Sequence, residues 1–403
     1  MTSQEENESL QVLDAQQRAE FVPKQYFDVI SSRAENSRMQ PALIFTADNL
    51  RSIKRYAHYV LRLPKSVEEI NGSHDFSLLG IDVTHVDRLY TNLRTHVSAW
   101  DVLERETKTL GTRLDLFAGT FIGEGGALIE KLAATEAFRT LKARLGDVVD
   151  EVSLERVGFS QIGERERGQI ASLGNYLDLI SEDVAEVKLR ITAIKERAQW
   201  FTDAVVRQLR PETDALNRQI KDVSPEKVID GLRAKIVPLD KEIEKMDATY
   251  QKLVGLAFTG LAFGPIGVAI TGGVYGAQAE TVRLNNQRLR RERETLVRQI
   301  ATISPMVGVF ENTSLQIADL KFRLTEVQTA AKNLEDVWHM LGVYLEQSGE
   351  ELGLITTDIE LATFILRFER VLRPWHSIRD ISSQLSKIFN ETMDEISKEG
   401  TSS

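Results

Sequence analysis

The sequence predicts an all-α protein: an elongated antiparallel helical bundle, the tail, carrying a two-helix coiled-coil neck and an apolar hairpin head. Three observations predict it. Prolines number only 9 in 403 residues and the 25 glycines bunch locally, so long stretches are free of helix breakers. Apolar residues recur at spacings of three and four through several long segments, and no strand-like alternation of any length stands outside one uncharged run. Those segments are too polar to be membrane spans, so their seams must be buried against one another.

Residues 1–40 read as a polar N-terminal segment, frayed to about Glu20. The first part of the tail, 41–223, opens with an amphipathic helix capped by Thr46, running to about Leu63 and stopped by Pro64. Asn71-Gly72-Ser73 reads as a loop. A helix then begins near Thr84 or His85, passes Trp100 to about Phe117, breaks or kinks at Gly119–Gly126, and resumes from Ala127 to about Leu145. The cleanest heptad seam follows: Ile170, Leu173, Leu177, Ile180, Val184, Val187, Ile191, Ile194, Ala198, Phe201 and Val205, weakening near Pro211.

Ser224-Pro225-Glu226 reads as the start of the ascending neck helix, 224–252. Its seam is Ile229, Leu232, Ile236, Leu239, Ile243, Met246 and Tyr250, with a bend expected at Pro238. On the descending side, 280–308, Val282, Leu289, Leu296 and Ile303 recur every seven residues. Asn286 and Arg293 stand where a full seam would be apolar, so the half stripe predicts an exposed neck. Ser304-Pro305 and Gly308 interrupt it. The second part of the tail, 309–398, carries the seam Leu320, Leu324, Val327, Ala331, Leu334, Trp338, Leu341 and Leu345. A last amphipathic stretch runs from about Thr357 to Ile396, broken at Arg373-Pro374-Trp375.

The head is 253–279. No charged residue occurs between Lys252 and Glu280, in a chain that is 27% charged. As one helix the run would reach about 40 Å, enough for a bilayer core of about 30 Å. Its glycines argue for a hairpin instead: Gly255, Gly260, Gly264, Gly267, Gly272, Gly273 and Gly276 are candidate hinge or turn residues, and Gly264-Pro265 is a natural turn. Two arms of roughly 16–20 Å result, each short of a span; the pair could dip into one leaflet, or the hairpin could open and the neck helices lengthen to cross. The candidate membrane-facing residues are Leu253, Val254, Leu256, Phe258, Leu261, Phe263, Ile266, Val268, Ile270, Val274 and Tyr275. Exposure to water would forfeit roughly 1.5–3 kcal/mol for each large apolar side chain. The soluble form must therefore hide part of this surface or oligomerise. A buried core hairpin and a constitutive transmembrane hairpin are the two plainer readings of the same run.

Net charge is -10, which sets the chain against general nucleic-acid binding. With no cysteine there is no disulfide, thiolate metal site or cysteine nucleophile. The six histidines, His58, His74, His85, His96, His339 and His376, show no metal-ligand spacing and read as ordinary helix residues. The glycine cluster at 119–126 lacks the lysine and hydroxyl of a phosphate loop, and no nucleophile-elbow motif occurs. No catalytic constellation, metal, cofactor or small-molecule substrate is expected. The basic run Arg288–Arg293 reads equally as a contact for anionic headgroups or as a solvated, internally paired neck. The acidic first residues do not read as a Sec signal, so secretion by another route is the expectation.

The head sequence YQKLVGLAFTGLAFGPIGVAITGGVYGAQAE resembles that of the A component of α-xenorhabdolysin-type binary toxins, within the cytolysin-A-like α-helical pore-forming toxins. The resemblance extends to Ala42–Pro64 and Phe364–Phe389 and covers nearly the whole chain in matching order, its VGLAFTG and AITGGVYGA blocks being the most specific. It implies a secreted bacterial cytolysin subunit of tail, neck and head, a partner B component, and a ring-shaped hetero-oligomeric pore in a eukaryotic target membrane. It also implies that the A component engages the membrane while B supplies much of the spanning helix. The competing function is a coiled-coil scaffold with an internal membrane-anchoring hairpin.

Overall fold

The computed structural model describes residues 13–31, 42–146, 149–223, 227–259 and 264–401; the side chains of 78–79, 220–223, 227, 255–276, 397 and 399–401 lie outside that description. Among the described residues the chain is helical and elongated, with no strand and one isolated bridge, Gln161 to Thr357.

The axis is α12, which takes its number from chain order and runs Pro305–Leu354, 50 residues or about 75 Å. Every residue of the predicted seam from Leu320 to Leu345 is buried on it. Antiparallel to it lies α8 (Gly174–Ala204), preceded by α7 (Glu164–Ser172). The long seam begun at Ile170 is buried from Leu177 through Val205. Polar rungs fix the register between the two helices: Lys195 Nζ lies 2.5 Å from Glu335, and Gln328 donates to Thr202 Oγ1 across 2.9 Å. At Val205–Leu209 the helix widens to π geometry just before Pro211, whose missing amide cannot continue the ladder, and α9 (Arg210–Val223) follows.

α4 (Val83–Ala133) and α14 (Trp375–Thr401) complete the main layers, with α13 (Asp358–Leu372) between. An aromatic knot ties them together. Trp375 sits 5.2 Å from Phe117 and 5.1 Å from Phe121, and Phe117 sits 5.7 Å from Trp338. The break at Arg373-Pro374 falls where expected.

Three local expectations change. The segment 1–40, read as polar, contains a core helix, α1 (Ala15–Ile30), with an Asp14 capping box. Its Val22, Pro23, Tyr26 and Phe27 are buried, and Phe27 reaches Trp338 at 6.3 Å. Asn71-Gly72-Ser73 ends a short helix, α3 (Val67–Ser73), rather than forming a loop; Ser66 caps it and Ile70 is fully buried. Residues 119–126 neither break nor end a helix, since α4 runs through them unbroken to Ala133, ahead of α5 (Glu136–Leu145) and α6 (Glu151–Arg156). Gly125 is a packing slot: a Cβ there would meet Leu372 Cδ1 at 2.9 Å and Phe368 Cε1 at 3.1 Å. The Thr46 cap holds as read, with a capping box to Asn49 at the start of α2 (Ala47–Leu61).

The neck is α10 (Lys227–Thr259) and α11 (Gly264–Ile303), packed along each other. Pro238 lies inside α10 without ending it, and Ser224-Pro225-Glu226 falls outside the described residues. The neck was expected to be exposed. Instead α11 lies against α12 and against α1, and Asn286, Arg290 and Arg293 are buried.

Candidate membrane-active hairpin

α10 ends at Thr259 and α11 starts at Gly264, so the connection falls in 260–263, outside the described residues and taking Gly260, Leu261 and Phe263 with it. Gly264 and Pro265 occupy the first turn of α11, where proline's fixed φ and missing amide cost nothing. Gly255 lies inside α10, and Gly267, Gly272, Gly273 and Gly276 lie inside α11. The side chains of Leu256, Phe258, Ile266, Val268, Ile270, Val274 and Tyr275 fall outside the described ones. Among the described residues no helix is long and apolar enough to cross a membrane.

The root of the head is described, and it is docked. Leu253 and Val254 pack on a small cluster of Tyr250, Ala279 and Phe322, which joins both neck helices to α12. Val254 also lines an apolar cavity of about 70 Å³ with Tyr26, Ile30, Leu43 and Ile44 from α1 and the chain ahead of α2.

Below that cluster the neck seam is polar. The register read from Val282, Leu289, Leu296 and Ile303 is not the buried one: Ile303 is 41% exposed, Val282 and Leu296 are half-buried, and only Leu289 is buried. The buried line is Ala279, Asn286, Arg293 and Ile300, with Arg290 and Val297 beside it. Each polar member has a partner on α10. Arg290 Nη2 donates to both Asp247 oxygens at 2.9 Å, and Asn286 Nδ2 donates to Asp247 while its Oδ1 accepts from Arg290 Nε at 2.6 Å. Arg293 Nε meets Asp240 Oδ1 at 2.5 Å. A signal for this was present in the sequence, because Asp240 and Asp247 stand seven residues apart, as do Asn286 and Arg293.

The same polar seam fastens the hairpin to the bundle. Arg283 donates to Asp48 Oδ2 at 2.7 Å, in the first turn of α2, while holding Glu280 at 2.7 Å. Arg290 also lies 3.6 Å from Asp319, and Arg233 on α10 meets Glu311 on α12 at 2.9 Å with both side chains buried. Above them Glu326 accepts from Asn49 Nδ2 at 2.7 Å and Arg323 Nη1 at 3.2 Å. Burial raises the Glu326 carboxyl above the usual range despite Arg323, and raises Asp247 likewise against the pull of Arg290. Within the basic run Arg290 and Arg293 are buried and paired with Asp247 and Asp240 on α10, so neither is a solvated neck residue; Arg288 is exposed beside Glu292 at 3.7 Å.

His96 is not an ordinary helix-face histidine. It is 2% exposed, between the Tyr56 hydroxyl and the Phe201 carbonyl, each at 3.1 Å. Among the described residues no group of histidine and carboxylate side chains has the arrangement of a metal site.

No protein-family model matches the chain, and none of the curated proteins does. Among solved structures it is similar to YaxA from Yersinia enterocolitica, at 24% identity and TM-score 0.47, over 88% of this chain and 100% of that one. It is similar to the XaxAB pore complex from Xenorhabdus nematophila, at 22% identity and TM-score 0.43, over 88% and 100%. It is also similar to the HblL1 toxin component of Bacillus cereus, at 12% identity and TM-score 0.47, over 91% and 96%.

Proposed function

We propose that this protein is a subunit of a bacterial α-pore-forming cytolysin, released from its cell and acting on a target-cell membrane through the 253–279 hairpin. The observation that carries the reading is the uncharged run between Lys252 and Glu280, at the end of two helices joined to each other by the Arg290–Asp247 and Arg293–Asp240 pairs. Exposing an apolar insert of that length to water is costly, and the ion pairs that hold the neck to the bundle are polar contacts that can be exchanged for water when the hairpin is released. Leu253 and Val254 form its docked root, and Leu256, Phe258, Leu261, Phe263, Ile266, Val268, Ile270, Val274 and Tyr275 are the membrane-facing residues. Gly255, Gly260, Gly264, Pro265, Gly267, Gly272, Gly273 and Gly276 supply turn and close packing. A partner B-component subunit, completing a hetero-oligomeric pore, enters the proposal through the sequence resemblance. No enzymatic step is part of it.

The test is liposome flotation of detergent-free protein, wild type beside Leu256→Glu/Phe263→Glu. Wild type, alone or with the partner subunit added, is expected to float, and the double variant to stay at the bottom with an unchanged far-UV spectrum. Unfolding of the double variant would make the run ordinary core. Failure of wild type to float even with the partner would overturn the reading. A requirement for detergent throughout purification would favour the membrane-anchored scaffold.

A further inference from the structure

The seam between neck and bundle leaves a cleft of about 200 Å³ where α2, α11 and α12 meet. Its floor holds Arg290 and Arg323, 9% and 5% exposed, whose guanidinium groups both lie over the Phe322 ring at 4.9 and 5.2 Å. Its acids are already engaged. Asp48 is taken by Arg283 and by Gln287 at 3.0 Å, Asp319 by Arg290 and Arg323, and Glu294 by Arg298 at 2.5 Å.

The mouth is different. Arg55 on α2 and Arg291 on α11 line it from opposite walls, both exposed, and neither makes an ion pair or side-chain hydrogen bond among the described residues. Arg51 stands beside them with only a distant contact, 3.8 Å, to Glu395. At the floor, the buried Arg323 Nε makes no hydrogen bond. Five arginines thus line the cleft against three carboxylates, Asp48, Asp319 and Glu294, and the excess positive charge sits at the mouth, on a chain whose net charge is -10. Like-charged guanidinium groups facing one another across a cleft repel, and a multivalent anion relieves that repulsion. Guanidinium forks match tetrahedral oxyanions through paired N–H donors.

We propose that this cleft binds a phosphate group, held across its mouth by Arg55 and Arg291 with Arg51 alongside. Because one wall belongs to the bundle and the other to the hairpin, the site is complete only while the neck is docked. Phosphate bound there stabilises the docked state by mass action. The site rests on the cleft alone and stands whether or not the head enters membranes.

The experiment is calorimetric titration of the full chain with inorganic phosphate, with chloride as the control anion, on wild type and Arg55→Ala/Arg291→Ala. Saturable heat with phosphate is expected, weakened about tenfold or more in the double variant, the loss suited to two charge-assisted contacts. Phosphate should also raise the melting temperature of wild type and not of the variant. No saturable heat in wild type, or equal heat in the variant, overturns the proposal. The source of the phosphate is read from flotation on phosphatidylcholine vesicles with and without phosphatidic acid. Extra flotation on phosphatidic acid that the arginine variant loses assigns a lipid headgroup; flotation indifferent to both assigns a soluble phosphate compound. Leu256→Glu/Phe263→Glu should keep the phosphate heat, which separates failure of this site from failure of the head.

Discussion

The hydroxyl of Tyr56 donates to Nδ1 of His96 across 3.1 Å, and that direction follows from the other side of the ring. The Phe201 carbonyl, 3.1 Å from Nε2, can only accept, so Nε2 carries the proton and Nδ1 is left as acceptor. Three helices, α2, α4 and α8, meet on one neutral imidazole.

That geometry sets a pH dependence. Burial lowers His96 from 6.5 to about 4, so the unfolded chain binds the proton more readily than the folded one. The contribution is fully present above pH 6.5 and is lost as pH falls toward 4. About 2 kcal/mol should go between pH 7 and pH 5. Glu326 and Asp247, with raised carboxyls, act in the opposite sense because their folded forms hold protons longer. The check is urea denaturation at both pH values, comparing wild type with His96→Asn: the difference in slope between them is the His96 part, and parallel slopes would refute it.

The clasp between Arg283 and Asp48 should be measurable as a coupling. A cycle of Asp48→Asn and Arg283→Gln is expected to give an interaction of about 1–2 kcal/mol, since the pair is mostly shielded from solvent. Hydrogen exchange should locate the loss, with amides of α11 losing protection while the α8–α12 pair keeps its own. A coupling near zero would mean that the hairpin is held by the Tyr250–Ala279–Phe322 cluster and by the Arg233–Glu311 and Arg290–Asp319 pairs, without help from this clasp.

Phe27→Ala tests the helix that the sequence concealed. Phe27 is fully buried against Tyr26 at 5.6 Å and Trp338 at 6.3 Å. Its truncation is expected to cost about 3–5 kcal/mol in chemical denaturation. A cost near that of an exposed site would return α1 to the frayed segment first expected.

Gly308→Ala should destabilise by about 1–3 kcal/mol, because a Cβ there would overlap the Ala301 backbone at the α11–α12 turn. Gly349→Ala, in open space on the same helix, should stabilise by about 0.5–1 kcal/mol through helix propensity. Melting temperatures moving in the same direction for both would refute the packing argument at Gly308.

The tail was legible because its seams are apolar and regular. Leu177 to Val205 and Leu320 to Leu345 each declare one face, and that face is buried. Glycine and polarity misled elsewhere. The glycines at 119–126 look like breakers, but a helix held by neighbours on its length tolerates them, and Gly125 admits Phe368 and Leu372. α1 hid because its buried face is short and because Pro23 falls in the middle of the helix, where a proline removes a ladder hydrogen bond and reads as a breaker; burial of Pro23 with Val22, Tyr26 and Phe27 holds the helix through it. The neck was read in the wrong register because apolar residues were allowed to define it. Asn286 and Arg293 are core residues there, and only their partners on α10, Asp240 and Asp247, reveal that.

The charges at the top of the neck have one more consequence. Lys252 on α10 and Glu280 and Arg283 on α11 border the uncharged run, and the Tyr250–Ala279 packing sets them at one height on the two helices. On the proposed reading this ring is a collar that stops the plunge. Hydrocarbon refuses such groups at a cost of several kcal/mol each. The hairpin can sink only as far as its arms reach, about 20 Å at most, before the collar catches at the headgroups. On that reading the depth of entry is set by where the charges stand on the two helices, not by the length of the helices themselves.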